Sequence, residues 1–244
     1  MRGCVPNKLA LAWRGIDLAV LGAACVCGAL LASVPVEAHG DNEGGGQQAP
    51  CVVDFPAAPN DYRLRDVNSE HRWHYDDNWR NHSKAAVELV QAGQLTRTAR
   101  TQIEWTLFRW PNHVPVLQAA IAYDVQGGQS YGFRPVECYF VRARAFAPDD
   151  VSVLLAEGVY FWKKGQKDRG RKSFEEALSV QPDSADAHYN LGLLYIEMGR
   201  YDDALRHAWA AYAAGYPLSG LRNKLARAGH WRDPPDGTPL TTQP

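Results

Sequence analysis

The chain has 244 residues, 45% of them hydrophobic, and its 26 basic side chains nearly balance 27 acidic ones for a net charge of −1. That balance excludes the strongly basic surface a nucleic-acid-binding domain needs. The five cysteines include no C-x-x-C spacing, which argues against dithiol redox chemistry.

The N-terminus reads as a targeting segment. Arg2, Lys8 and Arg14 precede an apolar core, "LAVLGAACVCGALLA", and "SVPVEA" follows with Val36 and Ala38 at the small-residue positions of a cleavage site. Residues 1–38 are therefore expected to be a cleaved export signal, leaving a mature chain that begins at His39. An uncleaved inner-membrane anchor is the alternative, because the apolar run approaches the length that spans a bilayer. Cleavage removes three cations and two anions, taking the net charge from −1 to −2, and leaves only Cys51 and Cys138. In an oxidising compartment these two are expected to pair, which predicts a disulfide. "HGDNEGGGQQAP" (39–50) has little to bury and reads as a flexible leader. About 200 mature residues suit one domain.

Helical periodicity starts after an irregular aromatic segment at 51–79. "HSKAAVELVQAG" and "TRTARTQIEWTLFRW" predict a degenerate helix pair within 80–113. A second pair is expected at 114–150, with "QGGQSYGFRP" as a long inter-helix loop, then further pairs at 151–184 and 185–217. A capping helix is expected within 218–231, with Ser219 as N-cap and Leu221, Leu225 and Ala228 on its apolar stripe, and a loose tail at 232–244. Pro111, Pro148 and Pro182 punctuate the units, and Asp150 and Asp183 or Ser184 are natural N-caps after them.

Shifting the sequence by 34 residues lays "LLAEGVYFWKKGQKDRG" on "HYNLGLLYIEMGRYDDA", matching Gly158 to Gly192, Phe161 to Tyr195, Gly165 to Gly199, Gly170 to Ala204 and Ala177 to Ala211. A mid-helix glycine costs about 1 kcal/mol relative to alanine, so Gly192 needs a compensating close approach between helices. The period and its small/large pattern resemble the tetratricopeptide repeat. That resemblance implies an all-α, right-handed superhelical solenoid of antiparallel helix pairs with a C-terminal cap. It also implies a concave groove lined by the first helices: Ser152, Leu155, Val159, Trp162 and Lys163 in one repeat, Asp186, Tyr189, Asn190, Leu193 and Ile196 in the next. The family's carboxylate clamp needs basic and amide residues where this chain has Leu155 and Val159, so that ligand mode is not expected. "DYR", "FRWPNH", "VECYF" and "GYPLSGLRNKLARAGHW" resemble an exported bacterial group in which such repeats follow a cysteine-bearing N-terminal segment, which implies a periplasmic location.

Other candidates each have two readings. "KKGQKDRGRK" concentrates Lys163, Lys164, Lys167, Arg169, Arg171 and Lys172 at a helix start, where cations oppose the macrodipole. It is either a solvated turn or a surface for anionic headgroups, an acidic glycan or an acidic partner. On the helix carrying Cys138, the inward stripe is expected to be Val136, Phe140 and Ala143, so a bridge to Cys51 pins the N-terminal segment across the outer side. "EHRWHYDDNWRNH" places His71 and His74 among carboxylates and aromatics, either as an aromatic lid or as metal ligands, and a free His39 terminus could chelate copper. Catalytic motifs are absent from the sequence, and the adjacent pairs Asp149–Asp150 and Asp202–Asp203 fall at helix starts, where capping accounts for them. The expectation is a non-enzymatic, cofactor-free scaffold that holds a protein partner in the cell envelope through its groove. Self-assembly into a homo-oligomer, or metal binding through His39 or His71 and His74, are the alternatives.

Overall fold

A computed structural model describes residues 51, 59–64, 76–77, 79–128, 134–235 and 237. The expected signal segment, His39, His71 and His74 lie outside these. Among the described residues every regular element is helical: α1 (Lys84–Gln91), α2 (Arg97–Arg109), α3 (Val114–Val125), α4 (Val136–Phe146), α5 (Val151–Lys163), α6 (Lys167–Val180), α7 (Ala185–Glu197), α8 (Tyr201–Ala213) and α9 (Gly220–Arg227). A π-helical turn, Trp79–Ser83, leads into α1. None of these helices is long and apolar enough to cross a membrane.

Short turns fold α6 back on α5 and α8 back on α7, and each such turn is written in local chemistry. Gly165 and Gly199 sit at φ 76° and 72°, a conformation in which a Cβ is strained. They allow Schellman closures in which Gln166 N–H donates to the Phe161 carbonyl at 2.9 Å and Arg200 N–H to the Tyr195 carbonyl at 2.8 Å. At the helix starts, Asp150 accepts from Ser152 N–H at 3.0 Å and Ser184 from Ala187 N–H at 3.3 Å. Of the two cap candidates after Pro182, Ser184 is the one used. Ser219 occupies the N-cap position of α9 without capping it, its hydroxyl accepting instead from Asn223 at 3.3 Å. Leu221 and Leu225 of α9 are fully buried, whereas Ala228 falls after the helix and is exposed, correcting the expected three-residue stripe.

The small residues permit close packing. A Cβ on Gly170 would lie 2.9 Å from the Gly158 carbonyl oxygen, and one on Gly158 would lie 2.4 Å from the buried Phe174 ring, so α5 and α6 cross with backbones nearly touching. At Gly192 the space is taken first by Leu221 of the cap, at 2.5 Å from where a Cβ would be, and then by the Ala204 carbonyl at 3.3 Å. The missing side chain therefore seats α9 as well as α8. Phe174, Leu191, Leu194, Ala204, Ala208, Tyr212, Leu221 and Leu225 form one buried cluster along these helices.

Another cluster fills the N-terminal pairs, with Val90, Ile103, Leu107, Leu117, Ile121, Val136 and Phe140 all buried. Cys138 of α4 is bonded to Cys51, with Cα atoms 5.0 Å apart. The inward stripe of α4 is wider than expected: besides Val136, Phe140 and Ala143, the helix buries Cys138, Tyr139 and Arg142. Cys138 is thus not on an outer surface. Arg142 directs its guanidinium at the Leu107 and Phe108 carbonyls at the end of α2, 3.5 and 3.4 Å away, which explains why a cation is buried there.

Candidate partner-binding face

The first helices α3, α5 and α7 lie side by side, and α5 and α7 present the expected groove residues. Leu155, Val159, Trp162, Leu193 and Ile196 are half-buried, packed at their bases against the C-terminal core and open on the other side. Trp162 is fixed in direction because its indole N–H donates to Glu197 Oε2 at 2.7 Å, while Lys167 Nζ holds the Glu197 carbonyl at 2.8 Å. The rim is polar. Ser152 and Asp186 are exposed, and Asn190 donates to the Asp186 carbonyl at 2.9 Å. Both rim charges feel the walls: desolvation raises the Asp186 carboxyl above its ordinary value and lowers the Lys163 ammonium below its own, although each residue still has exposed surface. An apolar floor with desolvated charges at its edge suits recognition of a side-chain-bearing segment by shape and pairing.

Tyr189 does not belong to that open strip. It is 8% exposed, stacks on Tyr216 with centroids 3.9 Å apart, and burial pushes its hydroxyl up to about 12. Its hydroxyl also fills the space beside Gly220. It closes the end of the repeat instead of offering a surface, because α9 packs where a following repeat's first helix would.

The basic turn is largely neutralised within the fold. Lys164 pairs with the buried Asp124 at 3.2 Å, Lys167 with Glu197 at 3.9 Å, and Arg171 with Glu175 at 2.6 Å. Arg169 stacks 3.7 Å over the Phe161 ring. Lys163 and Lys172 remain exposed. Four of the six cations are thus answered, by carboxylates from α3, α6 and α7 and by an aromatic ring.

One constellation was not anticipated from the sequence. Residues 59–64 run past the end of α2, where Asn60 N–H donates to the Arg109 carbonyl at 2.9 Å, and the start of α5, and the fully buried Asn112 is their anchor. Its amide nitrogen donates to Asp61 at 2.7 Å and to Asp150 at 2.9 Å, and its oxygen accepts from Tyr62 N–H at 2.9 Å. Arg63 bonds Asp61 and Asp149. Burial pushes Asp61 up, but hydrogen bonds from Arg63 and Asn112 bring it below the ordinary carboxylate range. At Asp150 burial prevails and the carboxyl is raised. Beside it, buried His113 caps α3 through Nδ1 at 3.4 Å and is flanked by Tyr62 and Trp79, with ring centroids 4.4 and 5.8 Å away. The turn "PNH" places Asn112 just before α3, but its partners Asp61 and Asp150 lie 51 and 38 residues away, so no local motif announces them. Among the described residues no group of three or more His, Cys, Asp or Glu is placed to hold a metal.

Residues 155–219 match the family model of the tetratricopeptide repeat. This segment is a tetratricopeptide-repeat array. Among solved structures the chain resembles MamA MSR-1 C2 at 18% identity, covering 60% of this chain and 84% of that one with a TM-score of 0.40. A mutant of MamA matches at 18% identity over 67% of this chain and 91% of that one, TM-score 0.40, and another at 23% over 57% and 96%, TM-score 0.33. No curated protein matches the chain. Tetratricopeptide repeats serve typically as non-catalytic scaffolds for protein–protein interaction, and the half-open strip on α5 and α7 lies within the matched segment.

Proposed function

We propose that this chain is an exported, periplasmic tetratricopeptide scaffold that holds an envelope protein against the strip formed by Leu155, Val159, Trp162, Leu193 and Ile196. The observation that carries this reading is the run of half-buried apolar side chains on the first helices of two adjacent repeats, with Trp162 held in place by Glu197. Recognition is reversible side-chain docking and involves no bond making. The signal-like segment at 1–38 and the Cys51–Cys138 bridge support export, since such a bridge persists in an oxidising compartment.

The test is in-cell crosslinking of tagged mature protein, with capture and mass spectrometry, beside the variant Trp162→Ala/Leu193→Ser. Both positions are partly open, so the variant keeps its helicity, checked by circular dichroism. A distinct envelope protein recovered by the wild type and reduced at least tenfold by the variant supports the scaffold. Undiminished capture, or recovery of only this chain from both, overturns it in favour of another surface or of self-assembly.

A further inference from the structure

The two helices of the last repeat meet through histidines. His188 Nδ1 of α7 lies 2.9 Å from His207 Nδ1 of α8, and His188 Nε2 lies 3.0 Å from the Pro182 carbonyl. A carbonyl accepts and never donates, so His188 carries its proton on Nε2 and offers a bare Nδ1, and His207 must donate from its own Nδ1. The ring centroids are 5.2 Å apart, which is the nitrogen–nitrogen distance plus one ring radius at each end. The two nitrogens therefore aim at each other along one line. That is hydrogen-bond geometry, not chelate geometry. A zinc ion held about 2.0–2.1 Å from each nitrogen would sit well off the line, both rings would have to swing, and His188 would lose Pro182.

We propose that the His188–His207 pair is an acid-labile latch between α7 and α8. One proton can enter at the outer nitrogen of His207 with the bond kept. A second must enter between the rings, where two N–H groups then face each other, and the helices part. The carboxylates that reach the pair from α6 and α8 are already engaged. From α6, Glu175 is engaged by Arg171 and by the Tyr195 hydroxyl. From α8, Asp203 is engaged by Arg206 and by Arg200. From α7, Tyr195 stacks on His207 at 5.4 Å, with Arg200 4.5 Å from the Tyr195 ring centroid, and the turn with Pro182 carries the exposed Asp183.

Burial, with His188 beside it, brings His207 down to about 4, against a weaker upward pull from Asp203. The unfolded chain takes that proton near pH 6.5. Between those limits the unfolded chain binds a proton that folded His207 refuses, so the folded pair is fully favoured above about pH 6.5 and progressively disfavoured, relative to a parted pair free to take up both protons, as the pH falls toward about 4. Since α7 also presents Leu193 and Ile196, opening the latch loosens one wall of the proposed groove. That consequence rests on the scaffold reading; the latch itself does not.

Imidazole 15N NMR of the mature protein reads the tautomers directly and needs no partner. The expected result at neutral pH is Nε2-protonated His188 and Nδ1-protonated His207, a pattern that collapses near pH 4 to 5 together with faster amide exchange in α7 and α8. Two rings titrating independently near pH 6.5 overturn the proposal. So does quenching of both signals by one equivalent of Ni2+ at neutral pH, which would make the pair a metal site. A second measurement uses His207→Phe, which keeps a ring beside Tyr195 but cannot titrate. The wild type's urea midpoint should fall between pH 7 and 4.5 by clearly more than the variant's, and equal falls overturn the latch.

Discussion

The repeats α5–α6 and α7–α8 and the pairs α1–α2 and α3–α4 solve one problem by different means. In the C-terminal repeats, Gly158 and Gly170 bring helices together so closely that backbone and Phe174 fill the gap. In the N-terminal half, buried Ile121 stands where Gly158 and Gly192 stand later, and α3 and α4 touch far less than α5 and α6 do. What replaces that packing is tethering across the sequence: Cys51 to Cys138, and residues 59–64 to Asn112 and Asp150. Where the small-residue code is written, neighbours suffice. Where it is not, the fold relies on a cross-link and a polar anchor from outside the repeat.

The strongest way to break this comparison is to remove the tether. The bridge closes a separation of 87 residues, and its loss should cost about 2–5 kcal/mol. Cys51→Ser/Cys138→Ser should therefore raise amide exchange in α1–α4 while α5–α8 stay protected, read by hydrogen-exchange mass spectrometry. Uniform acceleration would show that the two halves share one stability and that the contrast is superficial. The complementary change belongs to the other half. Gly158→Val drives a side chain into Phe174, which is fully buried and has nowhere to move, so thermal denaturation should report a loss of about 3 kcal/mol. Its effect should fall on α5 and α6 and leave the Cys51–Cys138 region protected.

The same contrast governs what could be read from the sequence. The C-terminal repeats announced themselves because their determinants are local and periodic: Gly165 and Gly199 at the turns, Asp150 and Ser184 at the caps, Gly158 and Gly192 at the crossings. The open strip of Leu155, Val159, Trp162, Leu193 and Ile196 followed from that register. Tyr189 did not, because its fate depends on how α9 and Tyr216 pack, and a 34-residue period says nothing of what ends the array. The neutralised basic turn was equally invisible, since Asp124 and Glu197 answer Lys164 and Lys167 from 40 and 30 residues away. Asn112 was the furthest from reach. Its partners Asp61 and Asp150 lie 51 and 38 residues off on either side, with no spacing rule to join them.

The mildest prediction sharpens the boundary between the repeat code and its termination. Ser184 and Ser219 occupy equivalent N-cap positions at the starts of α7 and α9, and the sequence gives no reason to rank them. The structure does: the Ser184 hydroxyl accepts from the Ala187 amide, whereas the Ser219 hydroxyl is turned to the Asn223 side chain, on an exposed residue. A hydroxyl that satisfies a buried helix-start amide is worth about 1 kcal/mol, and one that bonds an exposed amide side chain is worth little. Ser184→Ala should lower stability by about 1 kcal/mol in urea denaturation, and Ser219→Ala by no more than a few tenths. Equal losses would mean that α9 is capped as a repeat helix is and that the array ends for want of a partner helix. Unequal losses mean that α9 is held by Leu221 against Gly192, a lid seated by the very glycine whose presence in mid-helix is otherwise a cost.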